Sequence, residues 1–347
     1  WFYLGHCALC TLSFFAAPEK SYVLMASWKF SSAALLLCAG WNAVRDDEDL
    51  RWLLRALTFT LCAQALVVLK LKYVDGFYQV RGWFEHQNPL AMWAYLLGLP
   101  LLATGLGPTN KTETRWCLAG YVAAAVIIQS ALSRAALMMF ALGTVAVALG
   151  SLVDGFTLKR LRLLFFMACM GALGLLATLD TIVSRFNDEG NQASGETRTV
   201  MNLASKAMLA DSSIGIGWNN FGLTINQPFP YGDVIDDWER DRGHRVDSEY
   251  AKGVVESHYW LLLAENGYPG WASYVLFIAL SWLVLLRGWW RGRGTLGGVF
   301  LLGLAVALAL TYAQSNLERV LTQTKNLSAW LLLLGVALQI PRWNRTP

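Results

Sequence analysis

Apolar stretches of about 20 residues, separated by short polar turns, recur along almost the whole chain. Drawn at the length a bilayer core needs, they fall at 1–17, 22–44, 52–71, 89–107, 116–133, 134–153, 162–180, 269–288, 295–315 and 326–341, about ten in all. The pattern predicts an all-α, polytopic membrane protein with about ten or more transmembrane helices. The fifth and sixth stretches are nearly continuous. Either a tight turn at Ser133-Arg134 divides them, or one long helix carries Arg134 inside it. One polar run, residues 181–258, interrupts the pattern and is the longest non-apolar segment. The expected division is N-terminal helices at 1–180, a large loop with amphipathic helices at 181–258, and C-terminal helices at 259–347.

Composition agrees with this reading. The chain is 55% hydrophobic and 15% charged, with a mean hydropathy of +0.40. Soluble domains carry about a quarter charged residues. The net charge of +4 is small, and no nucleic-acid partner is expected. The first residue is Trp1, so the natural start is expected to lie upstream. The six cysteines all lie in apolar segments, where they read as small buried hydrophobes rather than a redox pair at Cys7 and Cys10. No repeat of 20–50 residues is visible.

Charge distribution sets the expected orientation. Arg45, Arg51, Lys111, Arg115, Lys159, Arg160, Arg162, Arg287, Arg291, Arg293, Arg342 and Arg345 fall on one side, which is assigned to the cytoplasm. The 181–258 loop, the 72–88 loop, Arg134 and the 316–325 loop are then external, and Lys29 snorkels outward.

Several residues in the external parts could carry chemistry. Ser257 can cap a short helix running from His258 to Asn266, about 14 Å long, ended by Asn266-Gly267 and restarted at Pro269. His258 at its start is expected to be wet and able to take a proton from a hydroxyl; the alternative is a structural hydrogen bond. Arg134 at a span boundary and Arg198 at the start of an amphipathic helix could grip a pyrophosphate, or contact lipid headgroups and acids instead. That helix is expected to bury Val200, Met201, Leu203, Ala204, Ala207 and Met208. In the stretch Arg81 to Ala91, Asn88-Pro89 reads as a turn into a span, with Glu85 and His86 capping or lining it. Gly215-Ile216-Gly217 reads as a tight turn closing the Arg198 helix, since it lacks the Lys-Ser/Thr of a P-loop. The run Asp236 to Arg245 reads as a self-neutralising surface loop rather than a calcium loop. The four histidines show no zinc spacing, and no metal site is expected.

Taken together, these motifs resemble the O-antigen ligase / Wzy-type O-antigen polymerase superfamily of membrane proteins. The resemblance rests on Gly82-x-Phe84 with Asn88-Pro89-Leu90-Ala91, on Ser133-Arg134, and on Arg198 followed by Gly215-Ile216-Gly217 and Phe221. It rests also on His258 with Leu262, Glu265, Gly267 and Gly270. It covers roughly residues 80–315. Tyr259 departs from it, standing where the family carries Asn, Ser or Gln. The resemblance implies a GT-C-like helical fold with one large external loop, in a bacterial inner membrane with a periplasmic active face. It implies metal-independent, cofactor-free glycosyl transfer from an undecaprenyl-diphosphate-linked glycan to a sugar hydroxyl, such as that of a lipid-A-core acceptor. His258 would be catalytic, Arg134 and Arg198 would bind diphosphate, and Arg81, Asn88, Glu265, Gly267 and Gly270 would support them. Polymerase action, protein glycosylation and a non-catalytic membrane subunit are the alternatives.

Overall fold

The computed structural model describes residues 1–165, 183, 190–243 and 252–343. Every regular element among them is helical. Six helices are long and apolar enough to cross a membrane: Lys20–Ala43, Asp47–Val74, Gln87–Leu106, Arg134–Val153, His258–Arg291 and Leu296–Gln314. These lengths and compositions suggest a membrane protein. Lys111–Ala131 and Thr324–Trp343 match them in length and are less apolar. The expected first span is a Phe2–Thr11 helix continued by a 3-10 turn, Leu12–Phe15, and is shorter than the six. Most of the expected span at 162–180 lies outside the described residues.

Local chemistry accounts for the helix ends. Asp46 accepts from the backbone N–H of Glu48 and Asp49, both at 2.9 Å, and three acids occupy the first turn of the following helix. Cap and acids both satisfy or complement the positive helix start. Asn110 caps Lys111–Ala131 in the same way, 2.8 Å from Glu113 N. The question at residue 133 is settled in favour of a break. Leu132 is left-handed at φ 54°, Ser133 is extended, and Arg134 opens the next helix.

The described residues divide into two compact units. One comprises Trp1–Leu35, Phe186–Leu280 and Ser315–Thr322; the other comprises Leu36–Arg185, Ser281–Gln314 and Gln323–Pro347. In the second unit, Gln87–Leu106 is the central helix, its span 94% buried. Small residues let its neighbours approach. A Cβ at Gly303 would lie 2.6 Å from Pro100 Cα, and one at Gly98 2.7 Å from Ala124 Cβ. At the C-terminal end of this helix, Lys159 donates to Gly107 O at 3.0 Å and Arg160 Nε to Leu106 O at 3.0 Å. Two cations thus sit on the carbonyls a helix leaves unpaired. Outer helices in this unit turn Phe59, Leu66, Leu142 and Leu149 outward.

Candidate functional site

The unit containing His258 is built on the polar loop. The Gly190–Asp211 helix places Val200, Ala204 and Met208 four residues apart on one buried face, as its periodicity predicts. Leu203 instead points outward, 38% exposed. The buried face packs with Ile216, Phe221, Ile225, Ile235, Val255, Leu261 and Ala264. Burying a side chain of this size contributes about 1.5–3 kcal/mol, so the loop has a core of its own and is not a tether. Tyr231 packs against that core. Burial, then the neighbouring Asp211 carboxylate, pushes its hydroxyl up to about 12, so it stays a neutral donor.

The charged run described above as a surface loop is in fact mostly a helix, Asp233–Asp241. Its acids are spaced so that Ile235 and Asp236 face inward. Asp236 is 2.9 Å from Lys252 Nζ, and that buried pairing is why the segment is not solvated on all sides. His244 and Arg245 lie outside the described residues.

The tight turn after the loop helix interlocks with the kink in His258–Arg291. Ile216 N donates to Ala264 O at 2.9 Å, Gly217 N to Glu265 O at 3.0 Å, and Tyr268 N to Ser213 O at 3.0 Å. Gly215, Gly217 and Gly267 have φ of 82°, 111° and 60°. A Cβ at Gly215 would sit 2.3 Å from Glu265 O, and one at Gly267 2.1 Å from Ser213 O. Each glycine therefore meets two demands at once, a left-handed backbone and contact with another backbone. Glu265 adds a buried carboxylate, whose Oε1 accepts from Phe221 N at 3.1 Å, with the Asn219 N–H also facing it. Gly270 packs against Cys10, which would lie 3.3 Å from a Cβ there. Glu265 and Gly267 thus hold the loop on the helix, while Gly270 packs against Cys10.

His258 corrects an expectation: it is not wet. The residue is 7% exposed, because Tyr274 crosses its ring at 5.0 Å and 73° and Ser315 O accepts from its backbone N–H at 2.9 Å. Its Nδ1 is buried with no hydrogen-bond partner among the described residues. Ser257 approaches Trp260 N at 3.5 Å, the edge of a capping bond. His6 also packs against Tyr274, 5.5 Å between rings, with Nδ1 2.9 Å from Ser273 Oγ. A polar residue inside the apolar run 1–17 was the available signal for His6. Arg198 pairs with Glu256 at 2.5 Å, two residues before His258. Glu256 was missed because the partners are 58 residues apart.

Arg81, Asn88 and Arg134 belong to the second unit. Arg81 is exposed, and Gly82 beside it has φ 51° and abuts the buried Gln64 amide. His86 caps the Gln87–Leu106 helix, its Nδ1 accepting from Asn88 N at 3.4 Å, so the capping reading holds for it. Arg134 occupies the first position of its helix, after Ser133, whose Oγ is buried and unpartnered among the described residues. A guanidinium at a positive helix end, beside an unused hydroxyl, suits an anion. Among the described residues no group of three His, Cys, Asp or Glu is arranged to hold a metal. Comparison with protein-family models finds no match, and neither does comparison with curated proteins.

Proposed function

We propose that the protein is a membrane glycosyltransferase of the O-antigen ligase type. It transfers a glycan from undecaprenyl diphosphate to a hydroxyl of a lipid-A-core acceptor at the periplasmic face of a bacterial inner membrane. The fold in this reading is GT-C-like, with about ten or more spans. The observation that carries the reading is the interlock: Gly215-Ile216-Gly217 and Glu265-x-Gly267, motifs of the resemblance far apart in sequence, meet on the helix that His258 opens. In the transfer, the acceptor oxygen attacks the anomeric carbon and the bond to the diphosphate oxygen breaks. His258 accepts the hydroxyl proton, and the charge left on the diphosphate is stabilised by guanidinium groups. Arg198 supplies one in the unit of His258; the role of Arg134 follows from the resemblance.

Purified protein given an undecaprenyl-diphosphate-linked glycan and lipid-A-core is expected to form the ligated product, with the same rate in a chelator. Turnover lost to chelation and restored by one divalent ion would reject the metal-independent mechanism. Core carrying one extended chain marks ligation, whereas lengthening of the lipid-linked glycan marks a Wzy-type polymerase. The burial of His258, together with Tyr259, favours a second reading, a membrane subunit that keeps the fold without transfer. No product with any lipid-linked glycan would establish it.

The orientation has its own test. Arg240 is exposed on the loop. In a chain whose native cysteines are replaced by Ser, Arg240→Cys is expected to react with an impermeant thiol reagent in intact cells whose outer membrane is permeabilised. Labelling only after the inner membrane is lysed would put the loop in the cytoplasm.

A further inference from the structure

The turn at Ser315–Thr322 is held at several points and joined to His258 at one of them. Ser315 O takes the His258 N–H at 2.9 Å. Val320 and Leu321 are buried. Thr322 Oγ1 donates to Arg319 O at 2.8 Å, and Lys29 Nζ donates to Thr322 O at 2.8 Å. From this fixed turn Arg319 projects outward, exposed. Its side chain makes no hydrogen bond or ion pair among the described residues. Its positive charge acts on the buried Glu265 without direct pairing. Lys29 brings a second positive charge to the same turn.

Arg198 differs, because Glu256 already neutralises it at 2.5 Å. A diphosphate approaching Arg198 alone meets a pair with no net charge. Arg319 has all its guanidinium donors available on a backbone that needs no reordering to present them. We propose that Arg319 is a further anion-binding residue of the His258 site, taking the diphosphate of the lipid-linked donor. This rests on the transferase reading and adds to it a residue of the 316–325 loop.

The test measures retention of radiolabelled undecaprenyl diphosphate by purified protein in phosphatidylcholine nanodiscs. Arg319→Gln is expected to bind about tenfold more weakly, the loss of one charge-assisted contact. Arg319→Lys should fall between, since it keeps charge and loses the fork. Arg240→Gln, which removes an equal charge already paired with Asp237, should bind as the parent does. Equal binding by parent and Arg319→Gln would overturn the proposal and leave the transferase reading standing. No binding by the parent would overturn the reading itself. Phosphatidylglycerol nanodiscs separate the other phosphate source. If Arg319→Gln loses only phosphatidylglycerol association and keeps the diphosphate, the residue is a headgroup contact and the proposal fails. A monodisperse elution profile for each variant shows that the fold is intact.

Discussion

His258→Ala is expected to lose turnover by about 10² to 10⁴, the usual contribution of a general base, while still binding donor. The reason lies in how the residue is held. Its backbone is fixed by Ser315 and its ring is set by Tyr274, so removing the imidazole leaves Arg198, Glu256 and the loop in place. The residue is 7% exposed, so truncation also leaves a cavity. His258→Gln fills most of that space and should be as inactive as alanine if proton acceptance is what is lost. Recovery by glutamine would make the imidazole a packing group. Arg198→Lys gives the opposite signature. Charge is kept and the planar fork is lost, so donor binding and turnover should fall together. Near-normal transfer by His258→Ala would end its assignment as a base. Donor binding and product formation, measured on the same preparations, separate these outcomes.

Gly267→Ala is expected to destabilise the protein by about 3 kcal/mol or more, enough to release the loop from the helix. At φ 60° a Cβ meets Ser213 O at 2.1 Å and Ile214 C at 2.5 Å, and both are backbone atoms that cannot rotate away. Gly243 provides the comparison. It too is left-handed, at φ 71°, but has nothing within 4 Å of a Cβ. Gly243→Ala should therefore show only the intrinsic cost of that backbone region, about 1 kcal/mol. Thermal midpoints of the two variants in the same detergent test this. Equal midpoints would mean that backbone conformation, and not the interlock, is what Gly267 supplies.

Features set by local sequence were legible. The amphipathic face at Val200, Ala204 and Met208, the turn at Gly215 and the stop at Gly267 each depend on neighbours within one or two turns, whereas the break at Ser133 stayed open between a turn and a continuous helix. What was not legible depends on distant partners. His258 looked solvated because nothing beside it in sequence reveals that Tyr274 and Ser315 close over it. Which acid Arg198 meets was not legible, because Glu256 comes 58 residues later. The charged run at 236–245 looked like a loop because its interleaved acids and arginines hide an inward face, visible only once Lys252 is placed against Asp236.

The first residues of the chain have an unusual timetable. Ser13 Oγ accepts from Trp218 N at 2.9 Å, Glu19 N donates to Asn220 Oδ1 at 3.0 Å, and His6 reaches Ser273. These partners are 205, 201 and 267 residues further on. At ribosomal speed that interval is roughly 10 to 50 s. For that time the Phe2–Phe15 segment carries an imidazole and hydroxyls whose final contacts have not yet been synthesised. The unit around His258 therefore closes late in biogenesis, and its opening segment is where a membrane chaperone or protease has longest to act.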